Sequence, residues 1–226
     1  MKWKVRAKSL HGWSRGPSGE NLKIHDLSIA IDDGMPYFEG DPKPMIRQFR
    51  TIEKDGYNLK EIHIGTHTGT HIDAPSHFIP GGKGVDELDL SMLSGFGTCI
   101  KYNPEEGLKL PAQNFKIILL YTGYNERWGE FTVFKNYSYI APVDAEKIRD
   151  YGATVVGIDS PSAESPDSRN FETHKILLGS SVVIAENLNS KTLSEIVDKT
   201  VFVMIFPVPV KHGDGAPSRI VALEGL

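Results

Sequence analysis

Short apolar runs heavy in isoleucine and valine recur along this chain, and little in it is long or periodic enough to make a substantial helix. The runs cover residues 24–31, 45–49, 59–66, 98–102, 117–121, 154–159, 181–185, 201–206 and 219–223. β-Branched side chains pack well on a pleated surface, so these runs predict strands. Helical spacing is confined to residues 143–151, which stop at Gly152, and to 171–178 and 193–197. A glycine just past the last helical residue readily takes the left-handed conformation that closes a helix. Many strands with few helices predict an α/β (α+β) domain on a mixed, partly closed sheet. With 226 residues, 39% of them hydrophobic, one such domain can bury a sizeable core.

Composition removes several function classes. A formal net charge of −4 offers no electrostatic footprint for nucleic acid or an anionic membrane. Cys99 is the single cysteine, which excludes an internal disulfide framework and fits a reducing compartment. Within Thr98-Cys99-Ile100 it reads as a small buried apolar residue rather than a nucleophile. No apolar run reaches the roughly 18 residues needed to span a bilayer. Residues 1–8 alternate basic and other side chains with no apolar stretch after them, which argues against a signal peptide. Residues 11–21 are rich in Gly, Ser and Pro. The expected organisation is a flexible arm over residues 1–23 and one domain over 24–226, working in the cytoplasm.

Chemistry concentrates in His67-Thr68-Gly69-Thr70-His71-Ile72-Asp73-Ala74-Pro75-Ser76-His77. Three imidazoles and a carboxylate in so short a span supply most of a transition-metal site. Packing explains such clustering poorly, because imidazoles desolvate badly without partners. Side chains two apart on a strand share a face, so His67, His71 and Asp73 are expected to point the same way. Pro75 cannot donate to a ladder, so the strand should end there and swing His77 back over that face. His63 is in phase but isolated, and reads as an ordinary polar position. The site needs further ligands, and His174 and Glu186 are the leading candidates. Tyr37 and Phe38, on a turn-rich segment before the motif, are candidates for stacking on a flat substrate. Gly81-Gly82-Lys83-Gly84 after it lacks the spacing of a phosphate loop.

Residues 67–78 resemble the HxGTHxDxPxHF signature of the metal-dependent cyclase family, which includes bacterial kynurenine formamidases and isatin hydrolases. Asp26-Leu27-Ser28 resembles the family's opening strand, and Phe38-Glu39-Gly40-Asp41 its WPGD-like turn. Gly157-Ile158-Asp159-Ser160-Pro161-Ser162 is similar to its GxDxxS strand end. His174 with Glu186-Asn187-Leu188 matches its late histidine and ENL element, and Gly215-Ala216-Pro217-Ser218-Arg219 its closing turn. The resemblance implies that His67, His71 and Asp73 bind one divalent metal, and that Asp73, His174 and Glu186 bind a second. It implies an acid/base role for His77, a swivelling β/β/α-like fold, and a homodimer or homotetramer. The family's formamidases often carry Trp where Tyr37-Phe38-Glu39 stand here, which bears on substrate identity.

The expected activity is a metal-dependent hydrolase of a small aryl amide, foremost an arylformamidase converting N-formylkynurenine to kynurenine and formate through a metal-activated hydroxide. His and carboxylate ligands suit Zn2+ first and Mn2+ second, one or two ions. Asp159 is a candidate to orient a ligand histidine, although an Asp opening the Asp159-Ser160-Pro161 turn explains it equally. The alternatives are a lactam or lactone hydrolase with the same site, and a non-catalytic metal-stabilised binding domain. Structural zinc sites commonly use cysteine, and the cluster has none. No GxSxG elbow supports a serine nucleophile.

Overall fold

The computed structural model describes residues 21–124 and 134–226. The expected arm lies almost wholly outside the described residues, and the first strand already begins at Lys23. In chain order the strands are β1 (Lys23–Asp26), β2 (Met45–Arg50), β3 (Leu59–His63), β4 (His71–Asp73), β5 (Ser94–Lys101), β6 (Ile117–Tyr121), β7 (Val155–Ile158), β8 (Val183–Glu186), β9 (Thr200–Pro207) and β10 (Gly215–Glu224). The helices are α1 (Ile52–Asp55), α2 (Pro142–Tyr151), α3 (Glu172–Gly179) and α4 (Ser190–Ser194), with 3-10 turns at Pro75–His77 and Val85–Glu87. Among the described residues no helix is long and apolar enough to cross a membrane.

The mixed sheet closes further than the apolar runs predict. Its order is β10-β4-β8-β7-β6-β5-β9, and β9 pairs back onto β10, so seven strands form a barrel with β1 added beside β10. β10 makes the closure because it is long. Its start, Gly215 to Pro217, pairs with β4, and residues 218–223 pair with β9 on the other edge. β5 to β8 run parallel, while β4, β9 and β10 join antiparallel.

Two apolar cores follow from strand alternation. Ile72, Cys99, Ile117, Leu119, Val155, Val183, Ala185, Val203 and Ile220 fill the barrel. Ile118, Leu120, Val156, Ile158 and Ile184 face the other way and pack beneath Ile148 of α2 and Leu177 and Leu178 of α3. Strands buried on both faces read as continuous apolar runs, which is why β6 matches its expected span. Cys99 is fully buried, and burial pushes its thiol well up, as expected for an inert core residue. The β2–β3 hairpin forms a separate two-stranded ribbon.

Candidate metal centre

Because Ile72 points into the barrel, its neighbours His71 and Asp73 point out. The β4–β8 register places His71 opposite Glu186, and directly opposed residues share a face with Cβ atoms about 5 Å apart. On β8, Ala185 is inward and Glu186 is outward. α3 covers this outer face. Leu178 anchors it in the outer core, and His174, one turn earlier, is buried on the same side.

His67 does not lie on the strand that the spacing predicts. The strand begins at His71, and the chain turns ahead of it at Gly69, whose φ is 66°. His67 reaches the site around that turn, with Nδ1 2.7 Å from Asp73 Oδ1. The expected bend at Pro75 is present as a 3-10 turn, and the His77 ring lies over His67 with centroids 4.1 Å apart.

His71, Asp73, His174 and Glu186 form a closed ring of alternating imidazole and carboxylate. His71 Nε2 is 3.4 Å from Asp73 Oδ1 and 3.4 Å from Glu186 Oε2. His174 Nε2 is 3.4 Å from Asp73 Oδ2 and 3.3 Å from Glu186 Oε1. Charge-assisted N–H···O bonds run shorter, at about 2.7–2.9 Å. Two donors each about 2.1 Å from one ion at a tetrahedral angle lie about 3.4 Å apart. The spacing therefore suits atoms facing a common cation better than atoms bonded to each other. His71 Nε2 and Asp73 Oδ2 are buried without a hydrogen-bond partner, which a protein rarely tolerates unless a further group satisfies them.

The outward nitrogens point to the same chemistry. His71 Nδ1 is 2.8 Å from the Gly69 carbonyl, His174 Nδ1 3.2 Å from Glu164 Oε2, and His67 Nε2 3.0 Å from Asp214 Oδ2. Each acceptor orients its ring by taking one ring N–H and leaves the other nitrogen on the carboxylate side, where it can serve a cation, the arrangement that metal-binding histidines require. Glu186 Oε1 is braced by the Ala163 N–H at 2.6 Å and the Ser162 hydroxyl at 3.3 Å.

The pocket draws positive charge. Burial opposes a charged His71, yet Asp73 and Glu186 overcome it and hold the imidazole up to about 10. His174 is likewise raised, against burial, by Asp73, Glu164 and Glu186. Burial disfavours the charged carboxylates too, but the surrounding imidazoles keep Asp73 well down and Glu186 at about 2. His77 differs: burial lowers it, so it is neutral at pH 7.

Two charged residues of the site lie outside the expected ligands: Glu164, which has no local signal, and Asp214, whose segment 211–215 reads equally as a substrate contact or a glycine-driven turn. Glu164 is 10 residues from His174, and Asp214 is 147 residues from His67. Asp159 does not orient a histidine. Ile158 faces the outer core, so the next side chain has inward parity, and Asp159 accepts from Thr122 N and Oγ1, Gly123 N and Ser190 Oγ instead. A cavity of about 250 Å³ opens onto the cluster, walled by Phe38, Phe78, Phe134 and Phe171. Tyr37 lines an adjoining hollow with Phe38 and Phe134 rather than this cavity. His63 is exposed and bonded to Glu61.

Residues 25–165 match the family described as "Putative cyclase". This chain belongs to the cyclase family. Its cyclase-family relatives include a kynurenine formamidase of Geobacillus thermodenitrificans, 31% identical over 86% of this chain and 94% of the relative. An uncharacterised protein of Methanocaldococcus jannaschii is 34% identical over 89% of this chain and its own full length. The fold is shared with an isatin hydrolase solved with the product analogue thioisatinate, at a TM-score of 0.78, 19% identity and coverage of 90% of this chain and 92% of that one.

Proposed function

We propose that this chain is a divalent-metal-dependent hydrolase of small aryl amides, foremost an arylformamidase acting on N-formylkynurenine. The observation that carries this reading is the ring of two buried carboxylates and two imidazoles, with its two unpartnered polar atoms, at the base of an aromatic-walled cavity. Kynurenine formamidases among the relatives support the substrate class. His67, His71, Asp73, His174 and Glu186 would hold the ion or ions, zinc first and manganese second, since mixed imidazole and carboxylate ligands suit both. When bound, such an ion supplies Lewis acidity and makes water acidic enough to ionise near neutral pH.

The chain's own residues supply the rest. His77 is neutral, partly exposed and stacked on His67 at the cavity wall. It takes the proton released by the attacking water and returns it to the departing aryl amine. Phe78 and Phe171, with centroids 5.0 Å apart, line the cavity and offer apolar surface to the aryl group. A purely structural metal site is closed, whereas this one opens to a cavity through His67 and His77.

The test is turnover of N-formylkynurenine, formanilide, isatin and an aryl lactone by metal-analysed protein. Formamide-bond cleavage that chelation abolishes while the far-UV circular dichroism stays native supports the reading. Cleavage of the lactam alone moves the substrate to cyclic amides, and no turnover of any compound sinks it. On this reading the protein works in the cytoplasm as a homodimer or homotetramer. Met45, Phe49, Leu59 and Ile62 support self-association, because the β2–β3 hairpin exposes all four, and an isolated two-stranded ribbon is marginal in water. Light scattering checks the assembly.

A further inference from the structure

The geometry points to Asp214 as a positioning residue that ties the metal-facing His67 to the proton-transferring His77. The inference rests on the function proposed above for its catalytic half, and on geometry alone for the rest. One carboxylate oxygen serves both rings: Asp214 Oδ2 is 3.0 Å from His67 Nε2 and 3.3 Å from His77 Nδ1. Glu164, by contrast, braces only His174.

The surrounding backbone is built to hold this carboxylate in place. Asp214 offers its carbonyl to the Ala74 N–H at 2.8 Å, which pins it across from the end of β4. Gly215 follows it, paired in register with Asp73. A Cβ on residue 215 would meet His67 Cε1 at 2.6 Å, so only glycine lets the His67 ring lie flat against this strand with Nε2 under Asp214. Gly213 donates its N–H to Val210 and its carbonyl accepts from Val85, which locks the other side of the turn.

Two consequences follow. His67 Nε2 lies 3.0 Å from Asp214 Oδ2, so with an ion bound the ring donates its Nε2 proton to Asp214 and leaves Nδ1, on the Asp73 side, for the ion. His77 Nδ1 lies 3.3 Å from the same carboxylate oxygen, so Asp214 holds the negative charge beside the ring that moves the proton. Asp214 therefore orients His67 by a hydrogen bond and borders His77 with the same oxygen, and its removal should disturb ion binding and proton transfer together.

The experiment compares wild type, Asp214→Ala and Asp214→Asn in three readouts. Zinc affinity, measured by competition with a chromophoric chelator, should fall roughly 10- to 100-fold in D214A, the usual effect of losing a carboxylate behind a ligand histidine. D214N keeps an oxygen acceptor for His67 and should recover part of that loss. At saturating zinc, kcat for formanilide should remain depressed in D214A with KM little changed. In the zinc-loaded protein the 1H shift of the His67 Nε2–H should lie downfield in wild type, as for an imidazole N–H bonded to a carboxylate, and move upfield in D214A. Asp214 is partly exposed, so thermal melts should show both variants folded. Unchanged zinc affinity in D214A together with an unchanged His67 Nε2–H shift would overturn the proposal. If wild type turned over no formanilide, the functional reading would fail, and the affinity and proton-shift readouts would still decide the role of Asp214.

Discussion

Gly215→Ala is the smallest change that should reach the metal centre through packing alone. The added methyl carbon would sit 2.6 Å from His67 Cε1, 3.0 Å from His67 Nε2 and 2.7 Å from the Ile72 carbonyl oxygen. Carbon atoms in good contact are about 3.5–4.0 Å apart, so the ring must retreat by about 1 Å. The Ile72 carbonyl cannot retreat as easily, because Ile72 lies in β4 and pairs with Ala216 and Ala185 on its two sides. Overpacking of this kind typically costs about 1–3 kcal/mol. Residue 215 does not have a left-handed φ, so alanine also stiffens the unfolded chain and recovers about 0.4–1 kcal/mol. The net loss is about 1–2 kcal/mol, or a Tm roughly 2–8 °C lower for a domain of this size. Zinc at 100 times the wild-type Kd should stabilise wild type by about 2.7 kcal/mol. If displacement of His67 weakens zinc 10- to 100-fold, the same concentration gives the variant only about 1.4 to 0.4 kcal/mol. Calorimetric melts of both proteins with and without zinc measure both quantities. A variant that melts within about 1 °C of wild type and keeps the full zinc-induced rise would refute the seating of His67 against residue 215.

Other outcomes follow from the same geometry. His77→Ala should retain zinc by metal analysis yet lose turnover by roughly 10²- to 10⁴-fold, whereas His71→Ala should lose both, since His71 is buried between two carboxylates. Phe171→Ala should raise KM for formanilide roughly tenfold and leave formamide, which has no ring, unaffected in steady-state assays. Asp144 is buried and accepts hydrogen bonds from the Tyr102 hydroxyl at 2.9 Å, the Leu108 N–H at 3.0 Å and Lys147 Nζ at 2.8 Å. Burial raises its carboxyl, but Lys147, Leu108 and Tyr102 together hold it below the usual range. Its contribution is therefore complete above the unfolded pKa near 3.9 and is lost as pH falls through the lower folded value. Asp144→Ala should cost about 3 kcal/mol at pH 7, with the gap to wild type narrowing below about pH 4, as measured by urea melts across that range.

The sequence made the members of the cluster legible and the route by which they meet less so. Ile117 to Tyr121 could be read to the residue because both faces of β6 are buried and the run is unbroken. Leu59 to His63 is shorter than its apolar run, which continues through Ile64 to Thr66 without further pairing. The last strand starts at Gly215, four residues before its valine- and isoleucine-rich part, because Gly-Ala-Pro reads as a turn although Ala216 pairs in register with Ile72. α4 begins at Ser190, under an Asn189 cap that accepts from Thr192 N–H, rather than at Leu193. Asp159 is the instructive case. Strand parity alone separates it from the outward Ile158, so the alternation that identified the strand also held the signal against its pairing with a histidine. Asp214 and Glu164 are different, since nothing local marks a carboxylate that matters only once two distant segments meet.

Asp159 is better understood as the tie that keeps the site's scaffold together. β6, β7 and β8 are parallel, so their C-terminal ends emerge on one edge, where ligand sites of parallel sheets form. Asp159 follows the end of β7 and takes hydrogen bonds from Thr122 and Gly123, just past β6, and from Ser190, at the start of the helix after β8. Burial pushes its carboxyl up, and the hydrogen bonds from Ser190, Thr122 and Gly123 offset part of that cost. The loop it anchors continues to Ser162 and Ala163, the two residues that brace Glu186 Oε1. The chain of contacts thus runs from the ends of three strands to one metal-facing oxygen. The barrel itself is filled with apolar side chains. The outer face of β4 and β8 beneath α3 is where charged groups can be buried and still meet a cavity. A cluster of opposing charges is stable there because the scaffold, and not the cluster, holds the atoms 3.3–3.4 Å apart.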